Sequence, residues 1–155
     1  MQVFKSFVLA LIGAAVPALL AATTLAQSQT GTAAEAKAML EKAVAELKTN
    51  EAAALAKFNN GEGGFKDRDL YVFCFDMKSQ KLSATINPAM RGKSAKELVE
   101  KDGSPIGEKV IAAMKEGVVN TVSYNFPKPG ATEPSPKESF VTRVGDQGCG
   151  VGYYK

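Results

Sequence analysis

One apolar stretch, Leu70–Asp76, limits what this chain can fold into more than any other part of the sequence. β-branched and aromatic side chains suit the pleated backbone of a strand. Successive side chains of a strand point to opposite faces, and both sets are apolar here: Leu70, Val72 and Cys74 on one face, Tyr71, Phe73 and Phe75 on the other. The pattern predicts a strand in the middle of a sheet covered on both faces. A buried helical segment is the alternative that periodicity alone leaves open.

The other segments of the chain predict helices at the beginning and strands at the end. Apolar residues at helical spacing predict helices over residues 32–48 and 51–58, the second capped by Asn50. Two further helices are predicted over residues 95–100 and from Pro105 to Gly117. Strands are predicted over residues 81–86, 118–126, 139–144 and 148–154. Hairpins at both ends of this order, with helices between them, predict an α+β fold with an antiparallel sheet.

The N-terminus has the parts of an export signal. Lys5 supplies a positive charge, residues 7–22 are apolar and uncharged, and Thr24 and Ala26 place small residues before a cut after residue 26. We therefore expect residues 1–26 to be a signal peptide and residues 27–155 to form a single domain that is periplasmic or secreted. The alternative is that the N-terminal segment stays uncleaved and anchors the protein in the membrane.

The composition argues against several classes of function. The chain contains no histidine, which is the commonest general base and metal ligand. Its formal net charge of +3 does not indicate a nucleic-acid partner, which would require a clustered basic patch. The acidic residues lie mostly on predicted helix faces, and the chain lacks a phosphate-binding loop motif and a haem-attachment motif. We therefore expect neither catalysis nor a bound cofactor or metal.

Five short motifs follow one another between residues 64 and 154. They are Gly64-Phe65-x-x-x-Asp69-Leu70-Tyr71-Val72-Phe73, Asn87-Pro88-x-Met90-x-Gly92-Lys93, Asp102-Gly103-x-Pro105, Gly117 followed by Tyr124-x-Phe126-Pro127, and Val151-Gly152-Tyr153-Tyr154. In this order they resemble the single Cache domain family. The resemblance implies a PAS-like, profilin-like five-stranded antiparallel sheet, with a long N-terminal helix packed on it and a ligand pocket on the far face.

The resemblance also implies a function. Domains of this family are extracytoplasmic sensors of small metabolites, often short carboxylates, in chemoreceptors or histidine kinases. Two departures stand out: the histidine often found in the second strand is absent from residues 83–86, and the sequence stops at Lys155 without a membrane helix or signalling module. The expectation is therefore a stand-alone domain that acts with a membrane receptor or a histidine kinase.

The family's topology places the strands of Cys74 and Cys149, the chain's two cysteines, next to each other. The resemblance thus implies a disulfide, which an exported protein would retain. Two buried thiols that act as small apolar side chains are the alternative. A redox-active pair is less favoured, because no Cys-x-x-Cys spacing lowers a thiol pKa.

A carboxylate ligand requires an arginine fork or a lysine charge. The basic residues nearest the implied pocket are Arg91, Lys93, Lys137 and Arg143, and the tyrosines that could add hydroxyl donors are Tyr71, Tyr124 and Tyr153. We expect Arg143 and Tyr124, on facing strands of one hairpin, to anchor the ligand, with Arg91 as the loop-side alternative. The competing interpretation is a solvated surface charge for each base and a half-buried core position for each tyrosine.

Taken together, the sequence predicts a non-catalytic module that binds a small organic acid outside the cytoplasm. A structural or protein-interaction module that pairs with a membrane partner is the second hypothesis, and a redox or hydrolytic enzyme is a distant third. The sequence leaves the identity of the ligand and the oligomeric state open.

Overall fold

The computed structural model describes residues 30–155, so the expected signal peptide and its cleavage site lie outside the described residues. The helices are α1 (Ala33–Thr49), α2 (Glu51–Asn60) and α3 (Ile106–Ala113). The strands are β1 (Lys66–Asp67), β2 (Leu70–Asp76), β3 (Lys81–Ala84), β4 (Asn120–Pro127), β5 (Pro134–Val144) and β6 (Gln147–Tyr154). Two 3-10 turns, Pro88–Met90 and Ala95–Glu97, lie between β3 and α3; the second replaces the helix expected over residues 95–100.

The strands form one antiparallel sheet in the order β1-β2-β6-β5-β4, and β3 also pairs with β2. The α+β class is confirmed. The described sheet has six strands instead of the expected five, because the two-residue strand β1 adds to β2. The predicted covering of β2 on both faces is also confirmed, since only its last residue, Asp76, is not buried.

Helix α1 covers one face of the sheet. Thr32 and Glu35 close a capping box at its start, in which the backbone N–H of Thr32 donates to Glu35 Oε2 at 2.7 Å and that of Glu35 donates to Thr32 Oγ1 at 3.2 Å. Its buried side chains pack against the α1-facing side chains of β2 and β6, and they are Ala36, Met39, Leu40, Ala43 and Leu47.

Cys74 of β2 and Cys149 of β6 are direct cross-strand partners, and a disulfide joins them. Their Cα atoms are 4.1 Å apart, and both residues are buried beneath α1. The bond therefore links the two strands on the helix-covered face, away from the opposite face where the family resemblance places a ligand.

The opposite face of the sheet carries a second apolar cluster around Phe73 and Phe75 of β2. The spacing of Gly148, Gly150 and Gly152 in β6 predicts a face that another group can approach closely. In the structure the neighbouring side chains use this space: a Cβ atom on Gly150 would lie 2.6 Å from Phe73 Cζ and 2.8 Å from Val141 Cγ1.

The β4–β5 hairpin differs from expectation in its register. Strand β5 begins at Pro134 instead of residue 139. Its two prolines lie beyond the end of β6 and pair only with β4. A strand with one neighbour needs fewer backbone N–H groups for pairing, so it tolerates proline. The residue opposite Tyr124 is consequently Lys137. Arg143 is on the facing strand of the hairpin, as expected, but it lies six residues beyond Lys137 along β5, about 20 Å away at the rise of a strand.

Candidate functional site

A cavity of about 690 Å³ lies between the second face of the sheet and the segments that cover it. Its sheet side is formed by Tyr71, Phe73 and Phe75 of β2 and by Tyr124 and Phe126 of β4. The covering side comes from three segments: the loop that contains the 3-10 turns, the start of α3, and the β4–β5 loop. Their lining residues include Ile86, Met90, Leu98, Ile106, Val110 and Pro129, and Leu82 of β3 adds to the same wall. Most of the wall is therefore apolar.

Lys137 lies behind one end of this cavity. It is only 2% exposed, and its Nζ donates a hydrogen bond to the Tyr71 hydroxyl at 3.0 Å. The same Nζ sits 4.3 Å from the ring centroid of Tyr71, 4.8 Å from that of Tyr154 and 5.5 Å from that of Phe126, distances typical of cation–π contacts. Within residues 30–155, no carboxylate is within ion-pair distance of this ammonium.

Burial sets the protonation behaviour of this group. Desolvation lowers the pKa of Lys137 to about 7, and the negative charge of Asp69 acts in the opposite direction. The aromatic rings offset part of the cost of burying an ammonium, but they do not replace an anionic partner. Lys137 therefore changes charge near neutral pH.

Two tyrosine hydroxyls complete the polar end of the cavity. The Tyr124 hydroxyl is 2.7 Å from Ser139 Oγ, and either oxygen can donate. Burial raises the pKa of Tyr124 to about 12 and that of Tyr71 well above its ordinary value, so both keep their protons at neutral pH. Since the Tyr71 oxygen accepts a hydrogen bond from Lys137, its own proton is free to donate to a bound molecule.

Arg143 lies outside this arrangement. Its Nε donates to the carbonyl oxygen of Gly145 at 2.7 Å and is 3.8 Å from Glu116 Oε2, and its side chain is 40% exposed. It does not line the cavity. The structure therefore places it as a surface cation at the opposite end of the sheet from Lys137.

Arg91 is close to the cavity but does not line it. Its Nε donates to the carbonyl oxygen of Thr85 at 3.0 Å, and its Nη2 donates to that of Asn59 at 2.6 Å. The Asn59 side chain in turn accepts from the backbone N–H of Thr85 at 3.0 Å. Because Thr85 and the following residues are part of the cavity wall, Arg91 holds that wall against the end of α2.

The remaining expected residues divide between the two faces of the sheet. Tyr153 is on the α1 side, where its ring stacks on Phe140 at 5.9 Å and its hydroxyl donates to Glu138. Lys93 lines the cavity and is exposed. The structure thus brings Tyr71, Tyr124 and Lys137 together, and it separates them from Arg143 and Tyr153.

The family that the sequence matches agrees with the observed fold. Residues 10–153 match the family described as Single Cache domain 2. The chain belongs to the single Cache domain family. The match begins inside the segment expected to be a signal peptide, so the domain boundary at residue 27 stays a prediction.

A curated relative of this Cache domain is the methyl-accepting chemotaxis protein McpP of Pseudomonas putida strain KT2440. It is 27% identical over 75 residues, which are 48% of this chain and 14% of that protein. The chain therefore spans about a seventh of the length of this relative, and the match concerns only one part of it.

Solved structures of chemotaxis proteins share the fold. One is the methyl-accepting chemotaxis protein from Vibrio parahaemolyticus, with a TM-score of 0.63 at 22% identity over 78% of this chain and 86% of that one. A second is described as "Structural basis for carboxylic acid recognition by a Cache chemosensory domain", with a TM-score of 0.57 at 22% identity over 76% and 84% of the two chains. At this level of sequence identity, the likeness shows only that the fold is shared.

Two polar residues of the site were not predicted from the sequence of this Cache domain. Asp69, just before β2, is 6% exposed; its Oδ1 accepts from the backbone N–H of Gly31 at 2.6 Å, and its Oδ2 has no hydrogen-bond partner among the described residues. Lys128 lines the cavity from the β4–β5 loop, and its Nζ lies 5.4 Å from the Tyr154 ring. Asp69 is part of the first family motif, and this motif was the one feature of the sequence that could have indicated it.

Two further properties hold for residues 30–155. They contain no group of three or more histidine, cysteine or acidic side chains placed to hold a metal ion. No helix among them combines the length and the apolar character required to cross a bilayer.

Proposed function

We propose that this Cache domain is an extracytoplasmic sensing module that binds a small organic acid, with the carboxylate at the Lys137 end of the cavity. The observation that carries the proposal is the burial of the Lys137 ammonium beside a cavity, with a tyrosine hydroxyl as its hydrogen-bond partner and without a carboxylate in ion-pair range among residues 30–155. A buried charge is costly unless it is paired. A ligand carboxylate would supply the missing partner.

The hydroxyl groups at this end suit a carboxylate. Lys137 has three N–H donors, and Tyr71 accepts one of them. Tyr71 and Tyr124 keep their protons at neutral pH and line the cavity. A carboxylate at this position would accept hydrogen bonds from the two tyrosines and would be attracted by the ammonium behind them. Hydrogen bonds to an ionised partner are the stronger kind.

The location and the partner of the domain are part of the same proposal. The relatives are chemotaxis proteins, and one structural neighbour, at 23% identity and a TM-score of 0.58, is described as a periplasmic sensor domain of a chemotaxis protein. A buried disulfide is typical of proteins that fold in an oxidising compartment. The domain would act without catalysis, by passing on its ligand state to a membrane receptor or a histidine kinase.

Calorimetry with a panel of monocarboxylates tests the proposal. We expect saturable binding to the wild-type protein and at least tenfold weaker binding to Lys137→Met, because truncating a buried charge contact costs about 2–5 kcal/mol. Arg143→Met is the matched control, since it removes the same charge from the surface and should bind like wild type.

Two results would contradict the proposal. One is a wild-type protein that binds no acid in the panel, which would favour an interaction module instead. The other is a Lys137→Met variant that keeps wild-type affinity while Arg143→Met loses it, which would place the anion at the other end of the sheet. Thermal unfolding of each variant checks that it is folded.

A further inference from the structure

A second, smaller gap lies between the β4–β5 loop and the residues that lead into β2, and we call it the loop gap. Its volume is about 310 Å³. Its walls are Lys128 and Pro129 of the loop, Arg68 and Asp69 before β2, and Thr30 before α1. Lys128 and Pro129 also line the large cavity. The candidate ligand site and the loop gap therefore share these two residues of their walls.

Asp69 brings an unpaired carboxylate oxygen to the wall of the loop gap. The residue is 6% exposed, and its Oδ1 accepts a hydrogen bond from the backbone N–H of Gly31 at 2.6 Å. Its Oδ2 is buried and has no hydrogen-bond partner among residues 30–155, and none of the ion pairs in this range includes Asp69. A buried acceptor without a donor is unfavourable. Asp69 thus lacks one donor.

Arg68 is not that donor, because its guanidinium is engaged with other groups. Its Nε and Nη2 donate to Asp67 Oδ2 at 3.1 and 2.7 Å. Its Nη2 also donates to Glu35 Oε1 at 2.6 Å, and its Nη1 donates to the carbonyl oxygen of Thr30 at 3.3 Å. Lys128 is therefore the cation of the loop gap that remains available.

The Lys128 ammonium has no anionic partner among residues 30–155. The residue is half-buried, and its Nζ lies 5.4 Å from the ring centroid of Tyr154. A cation–π contact at a partly exposed site is weaker than a hydrogen bond between an ammonium and a carboxylate. Exchanging the Tyr154 ring for Asp69 Oδ2 would therefore give both charged groups a better partner.

Few contacts hold the tip of the β4–β5 loop, residues 128–131. Within the described part of the chain, the one backbone–backbone hydrogen bond of this tip is internal, from the N–H of Ala131 to the carbonyl oxygen of Lys128 at 2.9 Å. The base of the loop is held by the Tyr154 hydroxyl, which donates to the carbonyl oxygen of Pro127 at 2.6 Å. The tip can therefore shift as a unit while its base stays in place.

We propose that Lys128 is a latch, whose ammonium moves from the Tyr154 ring to Asp69 Oδ2 and holds the β4–β5 loop across the loop gap when a ligand occupies the cavity. A ligand shifts such an equilibrium only if it binds the latched form better. The tip residues line the cavity, so a bound acid would contact them and favour the form in which they are held. The link to a ligand rests on the proposed function, whereas the ion pair needs only residues of this chain.

Affinities of the two single variants and of the double variant test the latch. Calorimetry with propionate should show about tenfold weaker binding for Lys128→Met than for wild type, because a hydrogen bond between charged groups is lost. In the Asp69→Asn background the same change should cost less than twofold, since the latch is already absent. Equal losses in both backgrounds would overturn the inference, because Lys128 would then act on the ligand without Asp69.

Two variants serve as controls. Lys101→Met removes a cation that is paired with Glu133 of the same loop at 2.8 Å, and it should bind propionate within twofold of wild type. Asp69→Asn keeps an acceptor oxygen for the N–H of Gly31 and should therefore fold. If thermal unfolding shows otherwise, Lys128→Arg replaces it: this variant keeps the charge and should retain wild-type affinity, and a loss equal to that of Lys128→Met would overturn the inference.

A fluorescent reporter separates movement of the loop from binding. The chain contains no tryptophan, so Thr132→Trp, at an exposed position beside the tip, gives a signal from the loop alone. Propionate should shift the emission of this variant, and adding Lys128→Met should abolish the shift at saturating propionate. Calorimetric binding without an emission shift in Thr132→Trp, or an equal shift after Lys128→Met is added, would overturn the latch and leave the proposed function standing.

The reporter also distinguishes the two proposals if the acids do not bind. Calorimetry that detects no binding of acetate, propionate or octanoate would overturn the proposed function. The ion pair is then tested in the free protein: equal changes in the emission of Thr132→Trp on adding Lys128→Met and on adding Asp69→Asn would support it. Unchanged or unequal emission would overturn the latch as well.

Discussion

The Nζ of Lys137 lies 3.0 Å from the hydroxyl oxygen of Tyr71, at the boundary between the core and the cavity. In this contact Tyr71 is the acceptor, so its hydroxyl keeps one proton that it can donate to another group. The positive charge of Lys137 thus lies behind the neutral Tyr71 hydroxyl, which can act as a donor. It allows the ammonium to attract an anion that contacts the tyrosine first.

The first prediction concerns the stability of the ligand-free protein as a function of pH. The folded pKa of Lys137 is about 7, below the ordinary lysine value of 10.5, so the unfolded chain binds more protons between these two pH values. The free energy of unfolding should therefore rise from pH 7 toward pH 9, by up to about 1.4 kcal/mol per pH unit. Urea unfolding at pH 7, 8 and 9 measures it.

The matched control for this prediction is Lys137→Met, which lacks the titrating group and should lose the slope. The groups that face Lys137 do not cancel the expected rise in the free energy of unfolding between pH 7 and pH 9. Tyr71, Tyr124 and Tyr154 have raised pKa values, so they reduce stability only above about pH 10, and the charge of Asp69 is too weakly coupled to reverse the shift. An equal slope in wild type and variant would contradict the assignment.

The second prediction concerns the pH dependence of ligand binding. A carboxylate needs the charged form of Lys137, which the free protein loses as the pH rises through about 7. Affinity for a monocarboxylate should fall by up to tenfold per pH unit above pH 7, because binding must then be accompanied by uptake of a proton. The acid itself is ionised throughout this range.

Calorimetry in two buffers of different ionisation enthalpy, at pH 6.5 and 8.5, measures the proton uptake directly. We expect a larger uptake at pH 8.5 than at pH 6.5. Binding that is independent of pH and of the buffer would mean that Lys137 does not contact the ligand, even if the acid binds in the cavity.

The third prediction concerns the disulfide. Cys74 and Cys149 are 75 residues apart in sequence, and a bond that closes a long loop stabilises a fold by about 2–4 kcal/mol. Exported protein, unfolded without reductant, should contain no free thiol, and urea unfolding with and without reductant should differ by that amount. Cys74→Ala with Cys149→Ala is the control, since reductant should not change its stability. Two free thiols per chain would contradict the prediction.

The fold could be predicted from the sequence where local patterns determine it. The two apolar faces of Leu70–Asp76 gave the central strand, and Asn50 caps α2 as expected, with its side chain accepting from the backbone N–H of Ala53 at 3.0 Å. The family motifs provided the topology. These features depend on residues close together in the chain or on a pattern that a family shares.

The site could be predicted only in part, because it depends on the register of one hairpin. Two prolines, at positions 134 and 136, indicated a loop, whereas they lie in a stretch of β5 that pairs with β4 alone. This shift brings Lys137 opposite Tyr124 and moves Arg143 away. The burial of Lys137 has no local signal either, since it is flanked by Pro136 and Glu138, as an exposed lysine would be.

The fourth prediction concerns the contact between the cavity wall and helix α2. Asn59 and Arg91 both bond to Thr85, which lines the cavity, although neither of them lines it. Arg91→Ala and Asn59→Ala should each weaken monocarboxylate binding by about threefold to tenfold through displacement of the wall. Because the two residues share one network, the double variant should lose less than the product of the single losses.

A double-mutant cycle with calorimetry measures this coupling, and the Lys137-dependent pH profile gives a second readout. If Arg91 only positions the wall, the pH dependence of binding should be the same in Arg91→Ala as in wild type, and Asn59→Ala should reproduce its effect. A direct contact between Arg91 and the ligand carboxylate would instead make Arg91→Ala far more damaging than Asn59→Ala and independent of it. That outcome would restore the loop-side anchor expected from the sequence and would remove Lys137 as the principal cation of the site.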